Sequence, residues 1–146
     1  MAATNAAHAH GLAPELMIGW AYVESRFDPM ATSRVVDGKR VTGSWPSLEP
    51  AGDGPRFCGP LQTMAGNSWL ACLVMRVPVI GYWLGAVELR AWLRVTHGDL
   101  RSALGGYGCG SLGAADPDSC GVHKPGDIPY PDRVLAWSRR IAGRSS

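Results

Sequence analysis

The stretch from Pro14 to Pro29, PELMIGWAYVESRFDP, constrains this chain more than any other. Pro14 suits the first turn of a helix, where its missing N–H is no loss. Asp28-Pro29 ends the run, because the residue before a proline avoids helical backbone angles. A helix to about Arg26 is therefore expected. At about 100° per residue, counting from Leu16, Trp20 falls at about 40°, Val23 at about 340°, Phe27 at about 20° and Met17 at about 100°. Glu24 falls at about 80°, inside this apolar stripe, while Gly19, Tyr22 and Arg26 mark the opposite, solvent side. A partly buried carboxyl group resists ionisation, and a glutamate that keeps its proton near neutral pH is what general acid catalysis requires. The alternative is a side chain that bends out to water from the last turn, or pairs with Arg26 or another base.

The rest of the chain reads as mainly helical. Residues 4–10 form a short helix ended by Gly11. Two β-rich runs flank Asp37-Gly38, a hairpin signal, so a small β-hairpin or flap is expected in the 34–57 segment. Further helices are expected over 63–75 and from Val79 to Val95, the second with Leu84, Val87, Ala91 and Val95 on one stripe. Asp99 is a candidate N-cap for a helix carrying Leu100, Ala103, Leu104 and Tyr107. GCGSLGAADPDSCG, residues 108–121, reads as a turn-rich loop. Pro131 opens a last helix with Val134, Trp137 and Ile141 facing inward. The expected fold is mainly α, of α+β type, with residues 1–146 as a single domain.

With 46% hydrophobic and 18% charged residues, the chain belongs to the packed globular class. A net charge of +2 gives no pointer to nucleic acid as a partner. No apolar run approaches the roughly 20 residues of a transmembrane segment, and no basic region followed by an apolar one opens the chain as a signal peptide would. Six Trp supply core packing and stacking surface for flat ligands such as sugar rings. Cys58, Cys72, Cys109 and Cys120 form no C-x-x-C pair and have no accompanying H-x(3–5)-H spacing, so no metal site is expected, and no cofactor. Four cysteines allow three pairings, of which the local one, Cys58–Cys72 with Cys109–Cys120, closes two short loops. Four reduced thiols are the alternative.

GLAPELMIGWAYVESRFDPMATS resembles the first catalytic motif of the lysozyme-like lytic transglycosylases, the soluble transglycosylase domain related to goose-type lysozyme. The matching residues are Glu24-Ser25, Phe27-Asp28-Pro29 and Ala31-x-Ser33. GPLQT, Gly59 to Thr63, is similar to the second motif of that family, HGDLRSALGGYGCG to the third, and YPDRVLAW to the closing segment. GAVELRAWL fits the helix before the third motif. Together the four motifs span residues 11–141 in the family's order.

The resemblance implies a peptidoglycan-cleaving enzyme acting on the bond between N-acetylmuramic acid and N-acetylglucosamine. Glu24 would be the catalytic acid, and Ser25 would shape the site beside it. Gln62, with the backbone of Gly59 to Leu61, would line the sugar cleft. Tyr107 would point its hydroxyl toward the acid and substrate, and Tyr130 would close the far side. In the lytic route the muramoyl 6-hydroxyl attacks its own anomeric carbon to give a 1,6-anhydro product. Two alternatives remain: hydrolysis as in goose-type lysozymes, with Asp37, Glu49 or Asp53 holding water, and a non-catalytic glycan-binding or structural module of a larger assembly. The chain departs from the family pattern at Gly108, where an Asn is usual, at Pro60-Leu61, at the missing acid before Tyr130, for which Asp127 is nearest, and in the long 34–57 segment. That segment is expected beside the cleft, with Arg34, Lys39, Arg40, Arg56 and Trp45 meeting the glycan. Cys58 and Cys109 sit in or beside two cleft motifs, which favours the local disulfides. Peptidoglycan strands are the expected partner, with virion or tail-complex proteins as further ones. The expected workplace is the periplasm or cell wall, reached as a bacteriophage virion component or lysis enzyme.

Overall fold

The computed structural model describes residues 1–36, 39–44, 55–66 and 68–144, with the backbone alone at 35, 36, 39 and 40. The fold is mainly α with a small antiparallel sheet. Its helices are α1 (Ala2–Ala9), α2 (Pro14–Ser25), α3 (Trp69–Met75), α4 (Pro78–Val95), α5 (Leu100–Ala115) and α6 (Tyr130–Arg144). The strands are β1 (Ala31–Val36), β2 (Lys39–Ser44), β3 (Arg56–Cys58) and β4 (Thr63–Gly66), in the spatial order β2-β1-β3-β4. Among the described residues no single helix is long and apolar enough to cross a membrane.

The main core gathers Leu16, Met17 and Trp20 of α2, Ala86 and Leu89 of α4, Ala103 and Leu104 of α5, and Tyr130 and Val134 of α6, with Leu61 from the turn before β4. The most extensive helix contact joins α2 to α6. Gly19 makes it possible: a Cβ there would lie 2.6 Å from the backbone N of Ser138. Gly19 is therefore buried between two helices and does not face solvent as the wheel suggests. Tyr22, on the same side, packs its ring 4.0 Å from that of Trp137. Helix α2 ends as expected, with Arg26 in the left-handed region at φ 53°.

The hairpin forms with the expected two-residue connection, Val36 facing Lys39, but it starts at Ala31 and belongs to a larger sheet. The tip at 37–38 and residues 45–54, with Trp45, Glu49 and Asp53, lie outside the described residues. Thr63–Gly66 is a strand, not the start of a helix. Gly59 (φ 80°) and Gln62 (φ 51°) turn the chain back so that Cys58 faces Thr63 and Phe57 faces Met64. The helix expected from 63 begins only at Trp69, where the Ser68 hydroxyl accepts from Ala71 N at 3.1 Å.

The glycine-rich run after Tyr107 is helical to Ala115, with a kink at Gly110 (φ 69°), and is not a loop throughout. Its small residues serve close packing, since Gly105 and Gly113 touch through their backbones. Asp99 caps α5, accepting from Ser102 N at 2.7 Å. On α4 the stripe of Val87, Ala91 and Val95 faces outward; Gly81, Tyr82, Gly85, Ala86 and Leu89 form the buried face instead. Small residues there let Pro60 and Leu61 approach the helix.

Two disulfides are formed, Cys58–Cys72 and Cys109–Cys120. The first ties β3 to α3, and the second ties α5 to the segment leading into α6. Loops this short stabilise by on the order of 3 kcal/mol each.

The Gly19–Ser138 contact can be checked by mutation. Alanine at 19 should gain up to about 1 kcal/mol in helix propensity, but overpacking costs about 1–3 kcal/mol or more. Backbone cannot rotate away as a side chain can, so the clash wins. Gly19→Ala should lower the urea midpoint; a rise would show that α2 and α6 can separate freely.

Candidate active site

Glu24 sits in the last turn of α2, half-buried, at the junction of two grooves. One groove is lined by Glu24, Phe57, Gln62, Met64, Glu88, Tyr107 and Gly108. The other runs under the hairpin, where Thr42, Gly43 and Ser44 of β2 face Glu24, Ser25 and Gln62.

A chain of hydrogen bonds fixes one oxygen of the acid. The buried Trp20 indole N–H donates to the Tyr130 hydroxyl at 3.0 Å. Indole nitrogen can only donate, so the phenol oxygen accepts and its own proton is free to be given on. That proton goes to Glu24 Oε1. Burial first, and the nearby Glu24 charge second, hold the Tyr130 phenol well above its ordinary titration range, so it remains a donor. Oε1 of Glu24 is thus held as an acceptor.

Gly108 has a steric reason. A Cβ at 108 would lie 2.6 Å from Cδ1 and 2.7 Å from Cε1 of Tyr130. Any side chain there would push away the ring that reaches Glu24.

The structure brings together Glu24, Gln62 and Tyr107 in one groove, and Glu24, Ser25 and Gln62 in the other. Several of these polar groups hold the walls. Ser25 Oγ donates to Pro60 O at 2.8 Å. Gln62 Nε2 donates to Ala31 O and Gly59 O, both at 2.9 Å. The Tyr107 hydroxyl donates to Leu61 O at 2.8 Å and lies 3.2 Å from Thr63 Oγ1. Tyr107 also sets its ring edge-on to Trp20, with centroids 4.5 Å apart. The phenol that donates to the acid is that of Tyr130. Arg34 is buried in β1, so it is no exposed contact for a glycan. Asp127, the nearest acid before Tyr130, accepts from the backbone N–H groups of His123 and Lys124 and braces its own loop.

Glu88 was not expected in the site. It lies on α4 at the margin of the buried face, three residues from Gly85 and one before Leu89, and that spacing is the signal that identifies it. Among the described residues it has no hydrogen-bond or ion-pair partner. Burial pushes its carboxyl above the ordinary value of 4.5. Among the described residues no cluster of three or more His, Cys, Asp or Glu is placed to hold a metal.

No protein-family profile, curated protein or solved structure matches this chain.

Glu88 should be a stability burden. Its folded-state pKa lies above the unfolded one, so the folded chain binds the proton more tightly, and the associated stability is complete below pH 4.5 and lost as pH rises. Glu88→Gln should therefore be more stable than the parent at pH 7, with the gap closing below pH 4.5. Thermal melts across that range test it, and a gap independent of pH would contradict the burial argument.

Proposed function

We propose that this protein cleaves peptidoglycan at the glycosidic bond between N-acetylmuramic acid and N-acetylglucosamine, with Glu24 as general acid and then base. The observation that carries this reading is the Trp20–Tyr130–Glu24 chain, which holds one oxygen of a half-buried carboxyl group as an acceptor at the meeting point of two grooves. The order of the four transglycosylase-like motifs supports it from the sequence side.

Glu24 Oε2 gives its proton to the glycosidic oxygen as the bond to the muramoyl anomeric carbon breaks, with the bonding pair leaving on that oxygen. The muramoyl 6-hydroxyl oxygen then bonds to the anomeric carbon, and its proton passes to Glu24. The product carries a 1,6-anhydro ring and the acid is restored. Tyr130 stabilises the carboxylate between these steps by donating to Oε1. One protein carboxyl group suffices for this route. Disulfides at both walls suit an oxidising workplace such as the cell wall.

Glu24→Gln should fold normally and lose about 10²–10⁴-fold or more in wall cleavage, since the amide has no proton of useful acidity. Release of soluble muropeptides from purified peptidoglycan measures it; unchanged release by a folded variant removes this reading.

One observation favours a second route. Glu88 shares the Glu24 groove without a partner among the described residues, and a raised carboxyl pKa suits a base for water. Water would then give up its proton to Glu88 as its oxygen bonds to the anomeric carbon, leaving a reducing end. Mass spectrometry separates the two: if water is activated by Glu88, Glu88→Gln shifts products from reducing ends toward anhydro ends. An anhydro fraction equal in parent and variant assigns Glu88 no part in the chemistry.

A further inference from the structure

The hairpin-side groove at Glu24 shares Val23 and Arg26 with a third groove, of about 280 Å³, lined by residues from the end of α2 and from α6. Its walls carry Arg26, Arg133 and Arg140, with Tyr22 and Trp137 among them. The rings of Tyr22 and Trp137 lie 4.0 Å apart. The Arg140 guanidinium sits 5.1 Å over the Trp137 ring, and that of Arg133 sits 5.9 Å over Tyr130. No Asp or Glu is among the residues lining the groove, and among the described residues none of the three arginines has a carboxylate partner. By contrast Arg101 on α5 is held by both Asp118 and Asp132. Three guanidinium groups around one concavity, two of them set over aromatic faces, form a receptor for anions of planar, bidentate geometry.

We propose that this groove binds the carboxylates of the peptide that branches from the muramoyl residue, and so selects peptide-bearing strands for the Glu24 site. The proposal rests on the peptidoglycan reading above. Continuity carries it: a strand with its scissile bond at Glu24 has the neighbouring groove within reach of the substituent next to that bond. Carboxylates dominate such a peptide, and arginine forks match them. Each exposed pair is weak in water, so the preference arises from several acting together.

Binding is measured with Glu24→Gln protein, which leaves the strands intact, against two ligands: soluble glycan strands with their peptides, and the same strands stripped by an amidase. Peptide-bearing strands should bind roughly tenfold more tightly at low salt, and the difference should shrink as salt rises. Adding Arg26→Asn, Arg133→Gln and Arg140→Gln should abolish the difference, with the stripped strands still bound. Asn is chosen at 26 because it tolerates the left-handed backbone there. Lysine at 133 and 140 should restore part of the preference, since charge returns without the fork. Equal binding of the two ligands, or a preference that survives the triple substitution, overturns the proposal, as does tighter binding of a phosphate-rich wall polymer than of peptide-bearing strands. Cleavage assays on the Glu24 parent are read separately. An inactive parent that shows the binding preference removes the enzyme reading alone; an active parent without the preference removes the groove assignment alone.

Discussion

The close approach of α2 and α6 is the contact on which the rest of this structure depends. It requires a residue without a Cβ at Gly19, and it places Tyr130, the first residue of α6, against Trp20 and Glu24. A donor-only indole sets the direction of the phenol, and the phenol sets which carboxyl oxygen accepts. Packing geometry is thereby converted into the protonation pattern of an acid. Gly108 serves the same end from α5 by leaving room for the phenol ring.

The polar residues around Glu24 divide by what they touch. Ser25, Gln62 and Tyr107 all bond to the backbone of residues 59–61, or beside it, and so hold the turn that forms one wall. This turn has little regular structure of its own, and its positive φ angles at Gly59 and Gln62 need outside support. The Cys58–Cys72 bridge anchors the strand leading into it. The carboxyl groups of Glu24 and Glu88 thus line one groove, in a wall built by their neighbours.

Much of this was legible in the sequence where a local rule decides the outcome. Pro14, Asp28-Pro29 and Asp99 set helix ends that the structure keeps, and the wheel position of Glu24 showed an acid on an apolar face. The strand at Thr63–Gly66 was not legible, because it exists only by pairing with β3 after a turn with a non-glycine residue at positive φ. The helical character of 108–115 was hidden for the opposite reason: its glycines signal turns locally but serve tight packing in the folded chain. Glu88 escaped notice because the buried face of α4 is marked by small residues and not by the large apolar ones that a hydrophobic stripe is read from. The direct bond between Tyr130 and Glu24 links residues 106 apart, and no spacing rule reaches that far.

That separation also orders assembly. The two disulfides close within 14 and 11 residues, and the turn at 59–62 is stabilised by partners no further along the chain than Tyr107. Trp20 and Glu24 wait for a residue more than a hundred positions later. Both cross-links and the hydrogen-bond partners of the turn thus lie in the part of the chain that precedes α6. In a chain emerging from synthesis, all of these partners are present before Tyr130, the first residue of α6, can donate to Glu24.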